Sequence, residues 1–280
     1  MIMRMIAVAL ALFLAFDAAP RAEPIMRPPP PVEVRVRPGV TVKYLALRPK
    51  TEPRNTVILF AGGDGLLNLQ ADGSIGTNLS GNFLVRSRDR FARRNLFVAA
   101  VDTPNQVAID GNVRLSAQYA QDIGRVIEDV RTRIATGGKV WLVGTSSGTL
   151  SAVGVAAWTT PSSPPIRVNV RRPDGIVLTA TQTNRVKGLC GRTVFNAALP
   201  AIGVPALVAH HLGDRCRCSP PKFAGKVVAA LTGAPAKEHK TFSGGLPPKS
   251  PGPCLAFTPH GFFGIEDQVV GAIADFIRKH

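Results

Sequence analysis

The stretch Lys139-Val-Trp-Leu-Val-Gly144-Thr145-Ser146-Ser147-Gly148-Thr149-Leu150 decides how this 280-residue chain is read. Lys139 to Val143 is a short, mostly apolar run of the kind that forms a buried strand, and Thr149 to Trp158 is small and apolar enough for a buried helix. Between them, Gly144 to Gly148 fits the turn G-x-S-x-G. Its glycines relieve the crowding of a sharp strand-to-helix reversal, and its serine projects the hydroxyl outward. The pattern is short, and its place between strand and helix gives it meaning. Ser146 is the candidate nucleophile.

Working outward, further strand-like runs cover Thr56 to Ala61, Leu96 to Val101, Gly175 to Ala180 and Val204 to His210. Ahead of the quoted stretch, Tyr119, Ile123, Val126, Ile127, Val130 and Ile134 recur mostly at steps of three and four. They predict a helix with one apolar stripe, beginning near Ser116. Ile265 to Ile277 carries a similar stripe. Near the start, Val32 to Val36 and Val40 to Leu47 read as two strands joined through a Pro38-Gly39 turn. Alternating strands and helices predict the α/β class: a mostly parallel sheet with helices on both faces, opened by an N-terminal antiparallel hairpin. Pro161 to Pro165 and Gly244 to Pro253 read as loops, and there is no internal repeat.

Composition narrows the classes. With 45% hydrophobic and 19% charged residues the chain can bury a full core, which excludes wholesale disorder. The net charge is +16, but its densest basic clusters, Arg86 to Arg94 and Arg167 to Arg172, contain only Phe91 as an aromatic. That is poor provision for stacking bases, so no nucleic-acid partner is expected. Weak association with an anionic cell envelope is the partner that such a basic surface would suit. The sequence sets no oligomeric state.

Arg4 precedes the apolar run Met5 to Phe16, and Ala18, Ala19 and Ala22 follow it. This predicts a signal peptide over 1–22, a Pro-rich spacer over 23–31 containing Pro28 to Pro31, and a folded domain over 32–280. The expected location is periplasmic or secreted. Four cysteines, Cys190, Cys216, Cys218 and Cys254, fit an oxidising compartment and can pair completely. Only one residue separates Cys216 from Cys218, so each is expected to pair with Cys190 or Cys254.

With Phe60-Ala61-Gly62-Gly63-Asp64-Gly65 after an early strand and G-x-S-x-G after a central one, the chain resembles the α/β-hydrolase superfamily over nearly all of 32–280. The resemblance implies an oxyanion hole made by the backbone amide of Ser147 and one from Gly63 or Asp64. It also implies the order serine, acid, histidine. Asp214 lies just past the run ending at His210, whereas Thr179 to Asn184 has no carboxylate, so Asp214 is the expected acid. Among downstream histidines, His239 lies at the start of a strand and His280 ends the chain. His260, before the last helix, is left as the expected base. A Cys216–Cys254 bridge would then tie the acid and base loops together, and Cys190–Cys218 would complete the set.

The activity implied is hydrolysis of a small carboxylic ester through an acyl-enzyme, without cofactor or metal. Peptidase, amidase and thioesterase chemistry would use the same residues, and a catalytically silent fold bound to an anionic envelope is the contrasting reading. A metal cluster of His210, His211, Asp214, Cys216 and Cys218 is the weakest alternative, since zinc-type spacing is missing. Only 23 residues, Thr181 to Gly203, separate two expected strands, so little or no lid is predicted. Arg86 and Arg88 are read either as contacts for a substrate carboxylate or as a solvated helix face.

Overall fold

In a computed structural model, the described residues are 29–159 and 170–280. The predicted signal peptide, most of the spacer, the loop Pro161 to Pro165 and part of the second basic cluster lie outside them. Eight strands form one sheet: β1 (Val32–Arg37), β2 (Val40–Leu47), β3 (Asn55–Phe60), β4 (Leu96–Val101), β5 (Lys139–Thr145), β6 (Gly175–Thr179), β7 (Ala206–His211) and β8 (Lys237–Phe242). Their spatial order is β1-β2-β4-β3-β5-β6-β7-β8. β1 pairs antiparallel with β2, and β2 with β4; every other pairing is parallel. The α-helices are α1 (Phe83–Arg86), α2 (Arg88–Ala92), α3 (Gly111–Arg114), α4 (Ala117–Arg131), α5 (Gly148–Trp158), α6 (Ala224–Ala230) and α7 (Glu266–Lys279).

Side chains alternate across the pleat, so each central strand feeds two cores. Ile58, Phe60, Val140, Leu142, Ile176 and Val208 pack in the layer shared with α4, α5 and α6. Val57, Leu59, Trp141, Val143, Val177 and Leu207 pack in the layer shared with α1, α2 and α7. This is why the parallel strands read as continuous apolar runs. Gly175 lies opposite Trp141 on the neighbouring strand, where a Cβ would come within 2.1 Å of the indole ring. The glycine makes room for the one fully buried tryptophan, which meets Phe276 edge-on at 5.6 Å.

The Ser116 hydroxyl caps α4 by accepting from the Tyr119 amide at 3.1 Å, so this helix starts where its stripe predicts. α5 is buried almost throughout, as a helix apolar on every side must be. Glu266 and Asp267 open α7 and Arg278 and Lys279 close it, which matches the helix dipole. The outer strands differ from the inner ones: β1 exposes Glu33, Arg35 and Arg37, and β8 begins Lys237-Glu238-His239-Lys240. Between β6 and β7 the only helical turns are the 3-10 turns Val194–Asn196 and Leu199–Ala201, so among the described residues no helical lid covers the carboxyl ends of the strands. None of the helices described is long and apolar enough to cross a membrane.

Candidate active site

Parallel strands deliver their following loops to one edge of the sheet. Ser146 follows β5, Asp214 follows β7 and His260 precedes α7, so all three reach that edge. Ser146 has φ 54°, a left-handed conformation that non-glycine residues seldom adopt. Its amide donates to the Thr179 carbonyl at 3.0 Å, and its carbonyl accepts from the Thr149 amide at 3.0 Å. The flanking glycines are required by backbone rather than by side chains. A Cβ on Gly144 would lie 2.4 Å from the Gly148 carbonyl oxygen, and one on Gly148 would lie 2.2 Å from that of Phe60.

Asp214 and His260 meet directly. The His260 Nδ1 and Asp214 Oδ2 are 2.8 Å apart, and both side chains are buried. The other carboxylate oxygen, Oδ1, accepts from the Cys216 amide at 2.8 Å. These bonds fix the ring and leave Nε2 buried with no hydrogen-bond partner, so the Ser146 hydroxyl is not bonded to it in this structure. The turn carrying His260, Pro259–Gly261, is held by its neighbours. Thr258 Oγ1 accepts from the His260 amide at 3.2 Å, and Phe262 is buried against Phe83 and Phe242. A Cβ at Gly261 would fall 1.9 Å from the Ala256 carbonyl oxygen, so this turn admits no side chain there.

Two disulfides, Cys216–Cys254 and Cys190–Cys218, join the loops around this edge. The first links the segments carrying Asp214 and His260. The second ties the 180–205 connection to the loop after β7. With all four sulfurs oxidised, the cysteines proposed for a metal cluster offer no thiolate, and His210 Nε2 already accepts from the Thr181 amide at 3.0 Å.

The loop after β3 completes the edge. Gly63 has φ 59° and Gly65 φ 77°, and the Gly65 amide closes a turn onto the Gly62 carbonyl at 3.1 Å. A Cβ on Gly62 would come within 3.0 Å of the Ser146 Cβ, so the loop rests against the elbow. The Gly63 carbonyl accepts from Ser147 Oγ at 2.6 Å and from Arg114 Nη2 at 3.2 Å. Because a trans peptide points its C=O and N–H in opposite directions, these bonds turn the Asp64 amide away from Arg114. Arg114 is 2% exposed, donates also to Ser151 and Ala61, and was not singled out by any sequence pattern.

Arg86 corrects an expectation. Its side chain is only 14% exposed and does not line the cleft beside Ser146: it donates to Glu266 at 2.9 Å, to the Gly81 carbonyl at 2.7 Å and to the Gly261 carbonyl at 2.6 Å. Burial pulls its pKa down, and Glu266 opposes that pull. An inward guanidinium that binds the residue after His260 is a clamp on the histidine turn. Arg88, at the start of α2, likewise donates to the end of the preceding helix α1, the Val85 carbonyl, at 2.7 Å.

Ser146, Ser147 and Gly63 line one cleft of about 520 Å³, together with Arg114, Arg185 and Arg192.

No known family profile matches the sequence, and no curated protein matches it. Solved structures do. A lidless α/β serine hydrolase from Xanthomonas campestris superposes with a TM-score of 0.54 at 14% identity, covering 89% of this chain and 93% of that one. A Pyrococcus furiosus esterase gives 0.57 at 10% identity, covering 89% and 90%. A ferulic-acid-bound protein from Butyrivibrio proteoclasticus gives 0.55 at 13%, covering 89% and 98%. What this chain shares with them at such identities is its fold.

Proposed function

The chain has the α/β-hydrolase fold, and from that premise we propose that it is a serine hydrolase that cleaves small carboxylic esters. The observation that carries the reading is the buried His260–Asp214 pair with His260 Nε2 unpartnered. Asp214 occupies Nδ1 and so fixes which ring nitrogen is left to handle a proton. Ser146, strained outward at the elbow, supplies that proton.

In this mechanism the Ser146 hydroxyl comes within hydrogen-bond reach of Nε2 as substrate binds. Its oxygen attacks the ester carbonyl while the proton passes to His260, and the resulting imidazolium is stabilised by Asp214. The Ser147 amide and that of Gly63 or Asp64 donate to the oxyanion; each such donor typically contributes about 3 kcal/mol. Collapse expels the alcohol, which takes the proton from His260, and leaves an acyl-serine. Water activated by His260 releases the acid and restores the enzyme. The Pyrococcus and Xanthomonas neighbours, an esterase and a serine hydrolase, support this class of reaction. The absence of a helical lid favours small, accessible esters over long lipids.

A fluorophosphonate probe tests the reading, because only an activated serine reacts readily with it. Labelling of the native protein, lost in Ser146→Ala together with hydrolysis of short-chain nitrophenyl esters, is the expected result. An unlabelled native protein that hydrolyses none of these esters would instead fit a silent fold bound to an anionic surface.

A further inference from the structure

The cleft beside Ser146 is charged unevenly. Arg114, Arg185 and Arg192 line it, against the single carboxylate of Asp110. That carboxylate is occupied locally: it accepts from the Asn112 and Val113 amides at 2.9 Å each and from the Asn112 side chain at 2.8 Å. Among the described residues none of the three arginines makes a direct ion pair, although Asp110 lies near enough to Arg114 and Arg192, and Asp64 to Arg114, to act on their charge. Arg192 donates through Nε to the neutral Asn112 side-chain oxygen at 2.6 Å, which leaves the end of its guanidinium uncommitted. Among the described residues Arg185 has no hydrogen bond or ion pair, and it is exposed.

Arg114 is the unusual member. It is buried, its partners are a serine hydroxyl and two backbone carbonyls, and its Nε has no partner. A guanidinium keeps its charge even when desolvated. Low-dielectric walls then focus its field into the cleft. Polar and apolar surface share the lining about equally, the apolar side chains being Ile109 and Leu189 beside the disulfides.

The arginine-bearing wall is also fixed. Cys190–Cys218 anchors the segment, and the amides of Thr183 and Asn184 both donate to the Cys218 carbonyl, at 2.9 and 3.0 Å. Arg192 lies across Gly111, where a Cβ would come within 2.7 Å of its own. Donors placed in advance bind an anion with less ordering cost than side chains on a loose loop.

Resting on the serine-hydrolase reading, we propose that this cleft selects small esters bearing a free carboxylate, which Arg185 and Arg192 bind while Arg114 supplies a fixed positive field. Guanidinium groups suit this role because they meet carboxylates with two parallel hydrogen bonds.

The experiment compares the 4-nitrophenyl monoester of glutaric acid with 4-nitrophenyl butyrate. At low ionic strength kcat/KM for the acidic ester is expected to exceed that for the neutral one at least tenfold. The ratio should shrink in 0.5 M salt, as screening requires. It should fall toward one in the Arg185→Ala, Arg192→Ala double variant and survive in large part when both become lysine. A second measurement does not depend on turnover: calorimetric binding of glutarate monomethyl ester to Ser146→Ala protein should weaken at least tenfold when both arginines are also replaced by alanine. Turnover of the butyrate with no preference for the acidic ester would overturn the selectivity while sparing the hydrolase reading. Equal binding with and without the two arginines would overturn it even if neither ester is cleaved.

Discussion

At Ser146 one residue is held at φ 54° by neighbours that cannot carry a side chain. Thr149 Oγ1 also donates to the Ser146 carbonyl at 2.5 Å, which adds a further tie at the elbow. Gly148 is the most constrained of these neighbours because the atoms a Cβ would strike belong to the backbone of β3, which cannot rotate aside. Gly148→Ala is therefore expected to cost about 1–3 kcal/mol in denaturant unfolding, the range for overpacking. Gly225→Ala, with open space around its Cβ position, should change stability far less. The candidate nucleophile was legible in the sequence because its turn is local. Arg114 and Arg86 were not, because the carbonyls they hold at Gly63 and Gly261 lie 51 and 175 residues away. No local pattern announces such contacts.

Among the elements, the strands that cross the core, the N-terminal pair β1–β2 and the striped helices were readable, and the shortest helices were not. β3 to β7 present apolar residues to both faces, and α4 and α7 each present a stripe to one. α1, α2 and α3 span four or five residues, too few to repeat any period. β8 pairs on one side only, so its sequence stays polar except at Phe242. The loops carrying the acid and the base could be ordered from the family resemblance, and the Cys216–Cys254 bridge joins them across 38 residues. Closing a loop of that length contributes about 4 kcal/mol in the chain-entropy model. Replacing both cysteines by alanine should lower the unfolding free energy by up to about that much. Ester hydrolysis should fall further than stability alone explains, because the His260–Asp214 pair loses its tether; assays well below the melting temperature separate the two effects.

For the whole molecule, acid is the condition that tests the fold. His210 is buried beneath the site, and burial lowers its pKa from 6.5 to about 4, with nearby His239 and His260 acting in the same direction and Asp214 opposing them. Folded protein therefore holds this ring neutral, while the unfolded chain takes up a proton below pH 6.5. Stability is complete above 6.5 and declines as pH falls toward 4, by roughly 3 kcal/mol at most. In His210→Gln the fall between these values should be shallower, which urea melts at pH 7 and pH 4.5 would show. A steeper fall in the variant would remove His210 from the account. A net charge of +16 adds self-repulsion that salt relieves. The charged outer strands have a consequence for neighbouring copies. Among the described residues β1 and β8 each pair on one side only, and docking of another copy there would strip water from Arg35 on one side or Lys237 on the other. The same residues that are least informative about the interior thus discourage edge-to-edge polymerisation.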